Sequence, residues 1–115
     1  MNEFRYNLPY PEMTGGALSI RSDQFAAING FSNQFYGWGG EDDEFHRRLA
    51  RRGLHPLRLA PEQARYVSLP HRKQSSRALV DMDTIVQEQD GIKTLNFSID
   101  SLQLLPQYTL LQVVL

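Results

Sequence analysis

The sequence has no cysteine. That rules out a disulfide framework and any thiolate metal site, and it leaves the redox compartment open. No apolar run approaches the roughly 20 residues of a membrane-spanning helix, and the first residues lack a signal-peptide h-region. Charge of one sign is also missing: 12 Lys and Arg stand against 13 Asp and Glu, a formal net charge of -1. Neither nucleic acid nor an anionic membrane is therefore expected as a partner. The basic run of Arg47, Arg48, Arg51 and Arg52 is offset by the acids just before it. There is no repeat, low-complexity tract or internal linker, so residues 1–115 read as one domain with an ordinary globular balance.

Against this plain background one stretch stands out, Gly37-Trp38-Gly39-Gly40-Glu41-Asp42-Asp43-Glu44. Its three glycines let the backbone turn tightly and approach a ligand. The chain's single Trp offers a flat face of the kind sugars and bases stack on. Four adjacent carboxylates repel one another unless a metal, hydrogen-bond donors or a helix N-terminus compensates them. They are also what a base for a weakly acidic hydroxyl requires. The plainer reading is a solvated first helical turn, where carboxylates meet the dipole favourably.

The remaining chain reads as short elements. Phe4–Pro11, with two prolines, is expected to be extended or looped, and Ala17–Ile20 to form a short buried strand. Ser22 as N-cap and Gly30 as stop bracket a helix over 23–29. A second helix runs from Glu41 to Arg52, burying Phe45 and Leu49 and ending at Gly53. Leu54–Leu59 and Arg65–Leu69 read as strands, and the polar stretch Arg72–Arg77 as mobile. Leu79, Met82, Ile85 and Val86 have helical spacing, which predicts a helix over 78–89 closed by Asp90-Gly91. Thr94–Ile99 and Tyr108–Leu115 read as strands, the second of them buried. The fold class is α/β or α+β.

In this order the pieces resemble the C-terminal half of the β-1,4-galactosyltransferase family. The resemblance is carried by Leu8-Pro9-Tyr10 with Gly15-Gly16, by Ile28-Asn29-Gly30-Phe31-Ser32-Asn33, and by Tyr36-Gly37-Trp38-Gly39-Gly40-Glu41-Asp42-Asp43. It continues through Asp90-Gly91 to Leu110–Leu115. Glu41–Phe45 with Arg47-Arg48 is closest to the branch that adds galactose to protein-linked xylose. The resemblance implies the C-terminal portion of a GT-A type α/β fold, a mixed sheet with short helices. It also implies an inverting transfer of galactose from a UDP-sugar donor to the 4-hydroxyl of an acceptor sugar or glycoconjugate. Asp42 matches the family's catalytic base, and Glu41 and Asp43 match its helpers in sugar binding. Trp38 matches a mobile-loop Trp hinged by Gly37, Gly39 and Gly40, and Tyr10 a residue lining the acceptor pocket. Gly15 and Gly16 complete the substrate-binding set.

A divalent cation, Mn2+ in the family, is implied, with His71 as its ligand. The second family ligand is a His or Met two or three residues earlier, where this chain has Leu69 and Ser68, neither of them a good ligand. Met13 departs from the Tyr that galactosyl enzymes of the family carry two residues before Gly15-Gly16. A flexible Met there reads either as tolerance of N-acetylgalactosamine beside the donor's 2-position or as simple gap filling. Arg77 and Val80 lie near the expected acceptor grip. His46 and His55 are expected at the surface, and Asn96-Phe97-Ser98 is a glycosylation sequon on an expected strand.

The family's Asp-x-Asp metal motif has no counterpart in a donor-site context; Asp81-Met82-Asp83 falls in an expected helix. The chain thus reads as lacking the upstream nucleotide-binding half, with no turnover of its own, and a full-length animal member would reside in the Golgi lumen. The competing reading is a non-enzymatic carbohydrate-binding module, in which the same pocket holds a sugar without a donor site.

Overall fold

The computed structural model describes residues 5–70, 72 and 80–115. Two α-helices form within them, α1 at Ser22–Ala27 and α2 at Glu41–Arg51. The first begins one residue earlier than the capping pattern suggests: Arg21 is the cap residue and Ser22 already helical. Its end is set by two left-handed residues, Asn29 at φ 62° and Gly30 at φ 65°. The second matches its expected span to within one residue. Gly40 caps it in a left-handed conformation, φ 90° and ψ -22°, and four acids fill its first turn against the helix dipole.

The core is small. Ile28, Phe45 and Leu49 are buried, with Ile20, Phe25 and Leu54 packed against them. Phe31 stacks on Phe45 with ring centroids 4.1 Å apart, and Phe25 tilts against both rings at 6.0 and 6.1 Å. Burying side chains of this size contributes about 1.5–3 kcal/mol each.

A polar lock holds α2 to the rest. Arg48 is fully buried. Its Nε–H donates to both oxygens of Glu44, at 2.8 and 2.7 Å. Its Nη1 donates to the carbonyls of Asp90, Gly30 and Asn29, at 2.8, 3.2 and 3.4 Å. Its Nη2 faces Asp90 Oδ2 at 3.3 Å. Asn29 ties the same segment from the other side: Nδ2 donates to the carbonyls of Gln87 and Asp90, while Oδ1 accepts from Lys93 N–H. Gly91, at φ 143°, lies so close that a Cβ there would sit 2.0 Å from the Asn29 carbonyl oxygen.

This lock explains why no helix forms over 80–89. Two single 3-10 turns stand there instead, Met82–Thr84 and Gln87–Gln89, joined by extended Ile85 and Val86. The Asp81 side chain accepts from Asp83 N–H, and Thr84 Oγ1 donates to the Asp81 carbonyl, local bonds that compete with a helix. Gln87 is drawn off to donate to the Ile28 carbonyl at 2.9 Å. Tertiary bonds win over apolar periodicity. Leu79, Arg77 and most of the polar stretch after Arg72 lie outside the described residues.

No strand forms over residues 17–20, 54–59 or 65–69. The sheet among the described residues is a single antiparallel hairpin, β1 at Ser98–Leu104 and β2 at Thr109–Val114. It is antiparallel where a mixed sheet was expected. Its first strand starts later than expected because Thr94 and Gly91 bond each other in a turn, with Ile92–Thr94 wound as 3-10. The expected buried strand is exposed along its whole length. Ile99, Leu102, Leu111 and Val113 share one uncovered face. The radius of gyration, 16.3 Å, exceeds the roughly 13 Å of a compact domain of this length. No helix among the described residues is long and apolar enough to cross a membrane.

Removing the buried guanidinium leaves Glu44 and Asp90 facing each other without a cation. Arg48→Ala is expected to cost about 3–5 kcal/mol in urea unfolding. A loss below about 1 kcal/mol would show that the lock is not what anchors α2.

Candidate active site

The site is built where the first turn of α2 meets the turn after Tyr10. Thr14, itself buried, donates from Oγ1 to the backbone carbonyl of Asp42 at 2.7 Å. Tyr10 donates from its hydroxyl to Asp43 Oδ1 at 2.9 Å. Glu41 turns back to accept from Gly39 N–H at 3.1 Å, which steadies the glycine loop at its junction with the helix. Glu44 faces inward to Arg48. The four acids therefore have four surroundings, and only part of the plain reading holds: they do fill a helix N-terminus, but one is core and the other three are only partly exposed.

The Asp42 carboxylate rests on Gly15. A Cβ on Gly15 would lie 2.1 Å from Asp42 Oδ2 and 2.9 Å from Cγ, so this place admits no side chain. Burial there, then the charges of Glu41 and Asp43, raise the Asp42 carboxyl above its ordinary value of 3.8. A carboxylate made more basic in this way is a better proton acceptor at neutral pH than a free one. The Tyr10 phenol is also raised, first by burial, then by its bond to Asp43 and the charges of Asp43, Asp42 and Glu41. It stays a protonated donor.

Trp38 sits on the glycine loop with two-thirds of its surface exposed. Gly37, Gly39 and Gly40 all have left-handed backbone, φ 86°, 113° and 90°. Gly39 has open space around it, whereas a Cβ on Gly40 would meet the Phe35 ring at 2.9 Å. Gly16, at φ 95°, likewise borders open space. Met13 is half-buried, and its carbonyl accepts from Arg58, which also bonds the Pro11 carbonyl. Tyr10, Met13, Gly15, Gly16, Trp38, Gly39, Gly40, Glu41, Asp42 and Asp43 thus fall within two segments that the Thr14 and Tyr10 bonds bring together.

His71 lies outside the described residues. Among the described residues, no three His, Asp or Glu side chains converge as a metal site. The acids of the octet are turned to Gly39, Tyr10 and Arg48 instead. His55 is exposed as expected, but His46 is half-buried, with Nδ1 lacking a hydrogen-bond partner. Val80 is half-buried, and the sequon residues 96–98 are exposed, only Ser98 being in a strand. Sequence reasoning missed Thr14, Asn29, Glu44, Arg48 and Asp90. Glu44 and Arg48 were legible in principle, since they flank Phe45 and Leu49 on the same helical stripe.

A family model described as the N-terminal domain of galactosyltransferase matches residues 1–72. The chain belongs to this galactosyltransferase family. It is 35% identical over 116 residues to beta-1,4-galactosyltransferase 3 of Bos taurus, covering 95% of this chain and 29% of that protein. It is 36% identical over 104 residues to beta-1,4-galactosyltransferase 5 of Danio rerio, covering 85% and 27%. The chain therefore spans less than a third of the length of these relatives. Its fold is similar to the catalytic domain of Drosophila beta1,4galactosyltransferase 7 solved in complex with xylobiose, with TM-score 0.67 and 28% identity over 92% of this chain and 50% of that one. The α/β portion of a GT-A type catalytic domain, expected from the sequence, is borne out by that likeness. The family description speaks of an N-terminal domain where the sequence reading placed a C-terminal half; both agree on the family.

The raised Asp42 carboxyl has a consequence for stability. The folded chain holds this proton at pH values where the unfolded chain has released it, so the stabilisation is fully present below the unfolded value. It is lost as pH rises through the raised folded one. Asp42→Asn, which cannot ionise, is expected to melt higher than the parent at neutral pH, the gap closing as pH falls toward about 4. Equal melting temperatures at neutral pH would mean the Asp42 charge carries no penalty.

Proposed function

We propose that this chain is the catalytic and acceptor-binding region of an inverting β-1,4-galactosyltransferase. In this reading it transfers galactose from UDP-galactose to the 4-hydroxyl of an acceptor sugar. The observation that carries the reading is the Asp42 carboxylate: made more basic by burial and its neighbours, seated on Gly15, and held through its backbone by Thr14. In the proposed step Asp42 takes the proton of the acceptor hydroxyl as that oxygen attacks the anomeric carbon. The bond to UDP breaks on the opposite face, and the configuration inverts. Glu41 and Asp43 accept hydrogen bonds from the acceptor, and Tyr10 fixes Asp43. Trp38, swinging on its glycines, covers the sugars and excludes the water that would otherwise compete.

A divalent cation, Mn2+ or another, would neutralise the leaving diphosphate. In this chain it enters the proposal only through His71. The described residues do not form a site for it, so no other side chain is assigned to it. Asp81 and Asp83 are not candidates, since Asp81 caps its own turn and Asp83 pairs with Arg47. For the acceptor we propose a xylosyl unit. Support comes from Glu41–Phe45 with Arg47-Arg48 in the sequence and from the fold of the Drosophila relative, whose complex holds xylobiose. As a donor alternative, Met13 leaves room for N-acetylgalactosamine, a half-buried flexible side chain in place of a rigid ring.

In the full-length protein, Asp42→Asn is expected to lower transfer by at least about 100-fold while sugar binding persists. A carbohydrate-binding module would show no transfer in the parent and only weakened binding in the variant. Met13→Tyr is expected to suppress use of UDP-N-acetylgalactosamine relative to UDP-galactose in a donor competition. A parent that already rejects the acetamido donor would leave Met13 as gap filling.

A further inference from the structure

Arg58 forms no ion pair among the described residues, and its neighbours Leu57 and Leu59 are exposed. Its Nη2 donates instead to two backbone carbonyls, those of Pro11 at 3.2 Å and of Met13. Both belong to the turn that carries Tyr10, Met13, Thr14 and Gly15, 47 and 45 residues earlier in the chain. That turn has one internal backbone bond, from Met13 N–H to the Tyr10 carbonyl, and at 3.3 Å it is a weak one.

The course of the chain explains how a residue beyond the end of α2 reaches a turn at its start. Gly53, at φ 66°, reverses the backbone; Leu54 N–H bonds the Leu49 carbonyl, and the Leu54 side chain packs on the core. Pro56 has a fixed φ and biases His55 toward extended backbone. The helix is about 16 Å long. Four extended residues from Leu54 to Arg58 cover about 13 Å, so an arm running back along α2 brings the guanidinium level with its first turn. Both ends of α2 thus hold the same turn. The first residues hold it through Tyr10 and Thr14, and the last hold it through the arm and Arg58.

What the turn presents to α2 is Gly15. The Asp42 carboxylate rests there at a separation that no side chain would allow, so a small shift of the turn opens the seat to water. Tyr10 and Thr14 fix the turn on either side of residues 11–13. Arg58 fixes the span between them, with a charged donor, the stronger kind of hydrogen bond. We propose that Arg58 is a positioning residue for the transfer step. By holding the Pro11–Met13 span, it keeps Gly15 seated against the Asp42 carboxylate. This rests on the reading of Asp42 as base.

The ionisable groups acting with Asp42 are Glu41 and Asp43 on its own helix and Tyr10 on the turn; Arg58 is not one of them. Loosening the seat would admit water and lower the Asp42 carboxyl toward its ordinary value of 3.8, whereas loss of a nearby cation would raise it. In the full-length protein, Arg58→Met keeps an apolar stem and removes the donors. It is expected to lower kcat/KM about 10-fold at neutral pH and to move the acid limb of the kcat/KM profile to lower pH. A second readout needs no turnover. The gain in melting temperature from Asp42→Asn at neutral pH should be smaller in the Arg58→Met background than in the parent. Arg58→Lys is expected to recover part of both shifts, and no recovery would overturn the hydrogen-bonding role. An unmoved limb with an undiminished gain would overturn the proposal whatever the fall in rate, since loss of folded protein moves neither. A limb that rises would overturn it in favour of a charge effect. Transfer that Asp42→Asn abolishes would uphold the base even where Arg58 fails. A diminished gain in a protein whose parent transfers nothing would uphold the seat and overturn the base.

Discussion

The Arg48 guanidinium is the point on which the geometry of this chain depends. It is a cation with no exposed surface, and it satisfies two carboxylates and three backbone carbonyls drawn from three separate segments. A buried cation is tolerable only when fully paired, so each of those segments must be in place for the others to be. The acidic turn of α2, the left-handed Asn29-Gly30 corner and the Asp90-Gly91 turn are thereby fixed against one another. With only three buried apolar side chains in the central cluster of the described residues, hydrophobic packing alone would set their relative positions loosely. The charge network supplies the register.

The acidic octet takes its division of labour from this arrangement. Glu44 belongs to the lock, so its turn of helix cannot rotate without breaking Arg48's bonds. Asp42 and Asp43 are consequently held outward, toward Gly15 and Tyr10, and Glu41 is spent on the loop. Four like charges side by side look alike in a sequence. In the fold they are separated by what each one touches.

This also marks what the sequence made legible. The span of α2 and its buried Phe45 and Leu49 followed from periodicity and the flanking glycines, which act locally. So did the grouping of Trp38, the glycines and the acids, since they are neighbours in the chain. The partners from elsewhere did not follow. Nothing local to Thr14 says that it bonds Asp42, and nothing local to Asn29 says that it organises residues 87–93. The helix expected over 78–89 failed for the same reason: Gln87 makes its bond to Ile28, 59 residues away. The apolar run at the end of the chain was read as buried because strands of that composition usually are. Among the described residues it pairs only with β1, and both of its faces are open.

The single tryptophan gives this molecule an optical property. Trp38 is the one indole in the sequence, it stands two-thirds exposed, and it rides on a loop of glycines directly before the acidic turn. Its emission therefore reports on one place only, with no background from the core. If the loop folds over a bound sugar, the indole passes from water to a drier, stacked setting, and its fluorescence shifts accordingly. The residue proposed to cover the site would also make its closure visible.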